Sequence, residues 1–364
     1  MRPGTLGAAT TSDAVGWNGS ELFVWQGSGG ARYSVDGDRW TSATTLGAPG
    51  LEVEGAVFPL LLPSVVWISK ERVLLWGGGV GCLPLSGDCD DAFIYDTGRD
   101  TWTRLNPKNP PRGRTHHVTL WTGDQVLVWG GRRREPSGAE EQLADGAIYD
   151  PAQDEWRAMT TVGAPSKRDH HTAVWTGSRM VVWGGSRWTD DPDFEEEPRI
   201  FLGDGAVYDP ATDRWTPMTP VGAPSQRQGH SVVWTGREMI VWGGEGCGPR
   251  PNHICGDGGA YDPSLDRWRP LSSKDAPSAR TLHTAVWTGE KMLVWGGAAS
   301  GTLFGDGAVY DAATDSWVPM TTKGAPYARG MHWAFWTGSQ MLVWGGGGPE
   351  SLVGSNDGAL FTLE

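Results

Sequence analysis

Residues 168–185 read RDHHTAVWTGSRMVVWGG, and residues 204–215 read DGAVYDPATDRW. A variable polar stretch separates them. Nearly the same pair of strings recurs along the chain. Its first tryptophan falls at Trp17, Trp67, Trp121, Trp175, Trp234, Trp287 and Trp336, in steps of 50, 54, 54, 59, 53 and 49 residues. Self-similarity at a period of this size marks a repeat array, so the unit that must fold is the repeat.

Each unit holds four short apolar runs. In the quoted unit they are His171 to Trp175, Met180 to Trp183, Gly205 to Tyr208, and a run starting at Trp215. Runs of this length, rich in Val, Trp and Tyr and bounded by Gly, Pro and Asp, predict strands. Thr176-Gly177 supplies a positive-φ residue for a tight hairpin. Asp209-Pro210 presets a type I turn in which the Asp side chain bonds its own backbone. No stretch keeps a helical period over three turns. Each unit therefore reads as a four-stranded antiparallel meander, with strands A to D. Such a sheet cannot cover both its faces alone, and radial repetition lets each sheet pack on its neighbours.

The double glycine after strand B, the Tyr-Asp-Pro closing strand C and the Trp six or seven residues beyond it resemble the kelch family. All three recur in order over nearly the full chain. The Trp before the double glycine (Trp129, Trp183, Trp242, Trp295, Trp344) replaces the smaller or other aromatic residue more usual there. The resemblance implies an all-β, seven-bladed β-propeller, and its regular Trp-Thr-Gly and Trp-Gly-Gly strings resemble bacterial, extracytoplasmic members. The blades fall at about 10–45, 60–107, 114–161, 168–220, 227–273, 280–322 and 329–364 in one domain spanning 1–364. Blade 7 has no strand D of its own. Residues Arg2 to Leu6 stand where one would precede blade 1, so the N-terminus is expected to close blade 7 as its outer strand and cover an open edge.

The 364 residues carry a formal charge of −13, which disfavours nucleic acid and anionic lipid as partners. No apolar span is long enough for a transmembrane helix, and no signal peptide stands at the start. Cys82 and Cys89 share the B–C loop of blade 2; Cys247 and Cys255 share that of blade 5. Blades 2 and 5 of a seven-bladed ring are far apart, so two loop-stapling disulfides are expected, as in an exported protein. The rival reading is a metal site of Cys247, His253 and Cys255, which lacks a fourth ligand.

Two insertions break the period. The blade 1 to blade 2 connector takes 27 residues from Trp40 to Trp67, against 19 from Trp215 to Trp234. Its excess includes Phe58 and Leu61, which either tuck inward or present an apolar patch to a partner. The blade 4 B–C loop holds Trp188, Asp190, Asp191, Asp193, Glu195, Glu196 and Glu197. In a propeller, D–A and B–C loops share one face, the top. Of 22 tryptophans, 20 sit at fixed places in the repeat and read as core; Trp188 and Trp333 do not, and Trp188 is the one expected to face a ligand.

Arg114, Arg168, Arg227, Arg280 and Arg329 precede the strand-A Trp by seven residues, and His117, His171, His230, His283 and His332 precede it by four. Asp91, Asp145, Asp204, Asp257, Asp306 and Asp357 precede the strand-C aromatic by four. The arginines are candidate ligand contacts at the top; the competing reading pairs each with a blade Asp, as recurrence in blade after blade suggests. Blades 1 and 2 break both series, so an asymmetric pocket is expected near them. Asp88, Asp90 and Asp91 form a candidate calcium site, with a plain solvated loop as the alternative. No phosphate cradle, nucleophile elbow or zincin motif is present. The copper set of kelch-family oxidases cannot be assembled, because at least five of the seven tyrosines are strand-C residues. The reading is an exported, monomeric binding module that holds a protein or glycan on its top face, without cofactor and more a binder than an enzyme. The alternative is a carbohydrate-active enzyme of the kelch sialic acid mutarotase or epimerase kind, or an oxidase-like propeller, with its site at the channel mouth.

Overall fold

A computed structural model describes residues 14–26, 29–53, 56–58, 63–79, 89–135, 137–189, 199–248, 253–347, 355 and 357–363. By contact the chain divides into two compact units, Met1–Thr161 with Lys167–Asp169, and Val162–Ser166 with His170–Glu364. The first unit carries the sheets of blades 1 to 3 and the second those of blades 4 to 7. Six of the seven blades are four-stranded antiparallel meanders, and the described part of blade 7 shows strands A to C. The expected closure by Arg2 to Leu6 lies outside the described residues.

Blade 4 shows how the repeat folds. Strand A (Thr172–Trp175) pairs with B (Met180–Trp183), B with C (Gly205–Asp209), and C with D (Arg214–Pro217). The A–B hairpin turns on Gly177 at φ 98°. There Thr176 Oγ1 accepts the Arg179 amide at 2.9 Å, so the Thr serves the turn as a second acceptor. In the C–D turn Asp209 Oδ1 accepts the Ala211 amide at 3.0 Å, as the Asp-Pro reading requires. The turn then ends on Asp213 in the left-handed region, φ 50°. Asp can adopt that conformation with little strain because its short side chain bonds locally. Here its Oδ1 accepts the Tyr208 hydroxyl at 2.6 Å.

The last four residues of strand B are buried in every blade, and the core lies between consecutive sheets. In the second unit, for example, Ile240, Trp242 and Ala260 of blade 5 pack against Met292, Val294, Tyr310 and Trp317 of blade 6. Trp242 meets Trp317 with ring centroids 5.6 Å apart. The tryptophans of strands B and D are thus inter-blade packing, worth roughly 3–5 kcal/mol each on truncation to Ala.

The two halves of the D–A connector do different work. Its first half is a tight turn, Thr219 to Pro224 in blade 4, with Ala223 N–H donating to the Pro220 carbonyl and Gly222 at φ 79°. This half packs on the start of strand D in the next blade, where the Thr219 amide donates to Asp266 Oδ1 at 2.9 Å. The second half runs inward and bridges that blade's own B–C loop, as Gln228 does with Glu245 and Thr281 with Ala298. D–A and B–C segments therefore share one end of each blade through the second half only. The blade 1 to 2 insertion follows the regular Thr44–Pro49 turn and forms a small hairpin, Leu51–Val53 with Ala56–Phe58.

Candidate functional site

The arginine that opens each inward half-connector is buried. Arg227 Nη1 donates to the Gly243 and Asp257 carbonyls at 3.2 and 3.0 Å, and Nε donates to the Ser225 carbonyl at 2.8 Å. Its Nη2 meets Asp257 Oδ1 at 2.9 Å. Arg280 repeats this with Gly296, Asp306 and Ser278, and its guanidinium also lies 4.2 Å from the centroid of the Phe304 ring. Arg114 pairs with Asp145 and Arg329 with Asp357. One planar group thereby ties the double glycine, the base of the B–C loop and the connector of one blade together. Lys, with a single point of charge, could not fill that fork. Arg168, at the same place in its repeat, is fully buried as well. The carboxylate partners are not buried: Asp145, Asp257 and Asp306 keep side-chain exposures of 51, 59 and 50%.

The histidines lock consecutive blades. His230 Nε2 bonds Thr172 Oγ1 of the preceding blade at 2.8 Å, His283 bonds Ser231 Oγ at 2.9 Å, and His332 bonds Thr284 Oγ1 at 2.7 Å. His117 makes the same bond to Ser64 in the first unit. Each ring also stands edge-on to the preceding blade's strand-B tryptophan, at 5.2 Å for Trp76–His117 and 5.1 Å for Trp242–His283. Burial, reinforced by the nearby arginine, pushes His283 and His332 down to about 3 and holds His230 well below its usual range. These imidazoles are neutral at physiological pH. The double glycine exists for them: a Cβ on Gly243 would stand 2.5 Å from His283 Cε1, and one on Gly184 2.7 Å from His230 Cε1.

The residue before each of these histidines takes a left-handed conformation, at φ 55° for His116, 53° for His170, 62° for Gly229, 58° for Leu282 and 55° for Met331. Non-glycine residues at positive φ are held there by the surrounding fold and cluster at functional sites. The backbone is constant while the side chain changes from blade to blade. In blades 6 and 7 the pair is apolar and open to solvent, Leu282 at 36% and Met331 at 44% exposure, joined by the Met331 amide donating to the Leu282 carbonyl.

The same blade ends carry short two-stranded ribbons that the sequence did not announce. They are Arg132–Arg134 with Glu140–Gln142, Ser186–Trp188 with Arg199–Phe201, and Ala298–Ala299 with Thr302–Leu303. Trp188 ends its ribbon strand half-buried. The Arg199 guanidinium donates to Gln228 Oε1 at 3.3 Å, and Gln228 Nε2 donates to Glu245 Oε1 at 2.8 Å, linking the blade 4 ribbon to blade 5. Phe58 lies on the inserted hairpin with its side chain outside the description; Leu61, Asp88, Cys82 and the acidic run 190–197 also lie outside the described residues.

Cys247 and Cys255 are joined, with Cα atoms 5.9 Å apart, and Cys89 is disulfide-bonded too. The Asp257 carboxylate comes within 4.8 Å of both sulfurs, but sulfurs bonded to each other offer no thiolate to a metal. Cys89 and Cys255 are buried two residues before the blade Asp, where Leu143, Leu202 and Phe304 stand in other blades. Of the acidic trio in blade 2, Asp90 is exposed and Asp91 is ion-paired with Arg104.

The family model described as the KLHDC2/KLHL20/DRC7 Kelch-repeats domain matches residues 63–274 and 195–364. The chain is similar to Kelch domain-containing protein 3 of Homo sapiens, 26% identical over 63% of this chain and 59% of that protein. It is similar to the Bos taurus protein of the same name, 28% identical over 72% of this chain and 67% of the other. It also resembles Adagio-like protein 3 of Oryza sativa subsp. japonica, 27% identical over 64% of this chain and 36% of that one. The chain thus spans less than two thirds of the human relative's length. With its repeated blades, buried Arg–Asp forks and double glycines, the chain belongs to the kelch-repeat family of β-propellers.

Proposed function

We propose that this chain is a protein-interaction module that works through the blade ends carrying the ribbons, the inserted hairpin and the left-handed residues. One observation carries the reading: what repeats at those ends is consumed by the scaffold, and what varies is displayed. The arginines and histidines are buried and bonded, whereas Leu282, Met331 and the ribbons present a different side chain in each blade. Rigid scaffolds that vary only their connecting segments are how repeat proteins acquire partners. The half-exposed carboxylates and the charge of −13 favour a partner surface of positive charge with apolar anchors. Trp188 and the hairpin bearing Phe58 are the first contacts to test, and a glycan on the partner is a candidate for stacking on Trp188. Disulfide bonding at Cys89, Cys247 and Cys255 supports a working place outside the reducing cytoplasm.

The test is site-specific photo-crosslinking in cells that make the protein. A photoreactive residue at Trp188, Leu282 or Met331 is expected to capture a discrete protein adduct, and one at Ser178 or Ser264, in the opposite turns, is not. Adducts from the opposite turns alone, or equally from both ends, would refute the assignment of the face.

A further inference from the structure

A crevice of about 370 Å³ opens between the outer strands of blades 4 and 5, away from the ribbon-bearing ends. Its walls include Val207 and Thr216 of blade 4 and Tyr261 and Asp266 of blade 5. Val207 and Thr216 are a cross-strand pair, the third residues of strands C and D. The corresponding pair in blade 5 is Ala260 and Arg269, and in blade 1 it is Arg32 and Thr41. Those two blades fill the corresponding crevice with a guanidinium, delivered once from strand D and once from strand C.

The occupant's contacts define what the crevice recognises. Arg269 Nη1 donates to the Tyr310 hydroxyl of the next blade at 3.2 Å and lies 3.8 Å from Asp315 Oδ1, while its other nitrogens meet Glu238 at 3.0 and 2.7 Å. The Tyr310 hydroxyl donates to Asp315 at 2.6 Å, so its lone pair faces the guanidinium. Arg32 lies against Tyr95 and Asp100 of blade 2, with Glu21 3.8 Å away. Blade 5 offers the same half-site to blade 4: the Tyr261 hydroxyl donates to Asp266 Oδ1 at 2.7 Å, and Asp266 is exposed. Blade 4 has no arginine in the pair. Arg179, at the place of Glu238, and Arg214 stand at the edge of the crevice with Asp209; Arg179 is drawn toward that Asp209, with 3.7 Å between Nε and Oδ2, and half of its side chain is exposed. Blade 2 shares this pattern, with Arg72 beside Asp96 and Thr103 in strand D, but the larger Ile94 stands at the place of Val207.

We propose that the crevice between blades 4 and 5 is a binding socket for the guanidinium of an arginine side chain on a partner polypeptide. The Tyr261 hydroxyl and the Asp266 carboxylate accept its N–H groups, and Val207, Thr216 and Pro217 receive its methylene stem. The chain's charge of −13 steers such a group in. The socket stands apart from the interaction face proposed above and does not depend on it.

The probe is N-acetyl-arginine amide, with N-acetyl-norleucine amide as the control, titrated into the full chain by amide NMR. Saturable shifts are expected at Thr216, Thr219 and Asp266 with the arginine compound only. The double variant R179E/T216R rebuilds the Glu238–Arg269 arrangement in blade 4 and fills the socket from within. It is expected to keep its fold by the same spectra and to lose affinity at least tenfold. The single variant T216R, at an exposed strand position, gives the same readout should the double variant fail to fold. No saturable shift in the parent chain at tens of millimolar, equal shifts with the norleucine compound, or undiminished affinity in a folded filled variant would each overturn the assignment.

Discussion

Lowering the pH from 7 to 5 should destabilise this protein through its inter-blade histidines. His230, His283 and His332 are buried, and His283 and His332 hold values of about 3 against an ordinary 6.5. A group whose folded pKa is depressed takes up its proton first in the unfolded chain. Its contribution is therefore fully present above 6.5 and drains away as pH falls from 6.5 toward 3. At pH 5 the unfolded state gains about 2 kcal/mol over its position at pH 7 for each of His283 and His332, so these two together cost about 4 kcal/mol, and His230 adds to the loss in the same direction. Carboxylates add little in this interval because they titrate lower. Relief of the net negative charge works in the opposite sense, so the decisive comparison is between parent and variant. In H283Q a neutral amide replaces the ring that bonds Ser231. Urea unfolding at pH 7, 6 and 5 should show the variant less stable at pH 7 but losing about 2 kcal/mol less than the parent on acidification. Equal losses in parent and variant would refute the claim that His283 titrates only after unfolding.

Two further outcomes test the scaffold. R227M should cost about 3–5 kcal/mol in urea unfolding because it strands the buried Gly243 carbonyl and leaves the Asp257 carbonyl with the Gly243 amide alone, whereas D257N should cost about 1 kcal/mol or less because that carboxylate is largely exposed. Similar losses in both would mean that the ion pair, rather than carbonyl satisfaction, holds the loop. G243A should be far more damaging than G236A: both glycines have positive φ, but a Cβ on Gly243 strikes His283 at 2.5 Å while one on Gly236 meets open space. Thermal unfolding should place G236A about 1–2 kcal/mol below the parent and G243A well beyond it; equal shifts would mean that backbone conformation alone selects glycine there.

The fold was legible because its signals are local and repeated. Thr176-Gly177 and Asp209-Pro210 fix turns by their own chemistry, and Trp175, Trp183, Tyr208 and Trp215 mark the four strands between them. The Arg–Asp pairing was also within reach, since both residues recur at fixed distance from the same aromatics. Contacts that cross between blades were not. Nothing local links His283 to Ser231, 52 positions earlier, although a Ser or Thr after the histidine in blades 4 to 6 was a visible hint. The ribbons escaped because strands such as Arg132–Arg134 carry no apolar alternation and are set by the double glycine that launches them. The proposed arginine socket is not legible in the sequence: its residues come from strands C and D of one blade and from strand C and the C–D turn of the next, and only the filled copies show what the empty one lacks.

The left-handed aspartate of the C–D turn bears on how such a chain can change its length. Asp100, Asp266 and Asp315 each accept the tyrosine of their own blade through Oδ1, and the same oxygen accepts the amide of Thr44, Thr219 or Ser272 from the blade before. Each of these three junctions is thus completed by one residue type drawn from a fixed place in the following repeat, whereas the blade 2 to 3 junction uses backbone bonds between Lys108 and Asp154 and Trp156. Duplication or loss of one whole repeat reproduces this bond at the new seam. A deletion of half a repeat removes the acceptor and leaves the preceding connector without its anchor. At these three junctions the length of chain whose gain or loss preserves the bond is therefore one period.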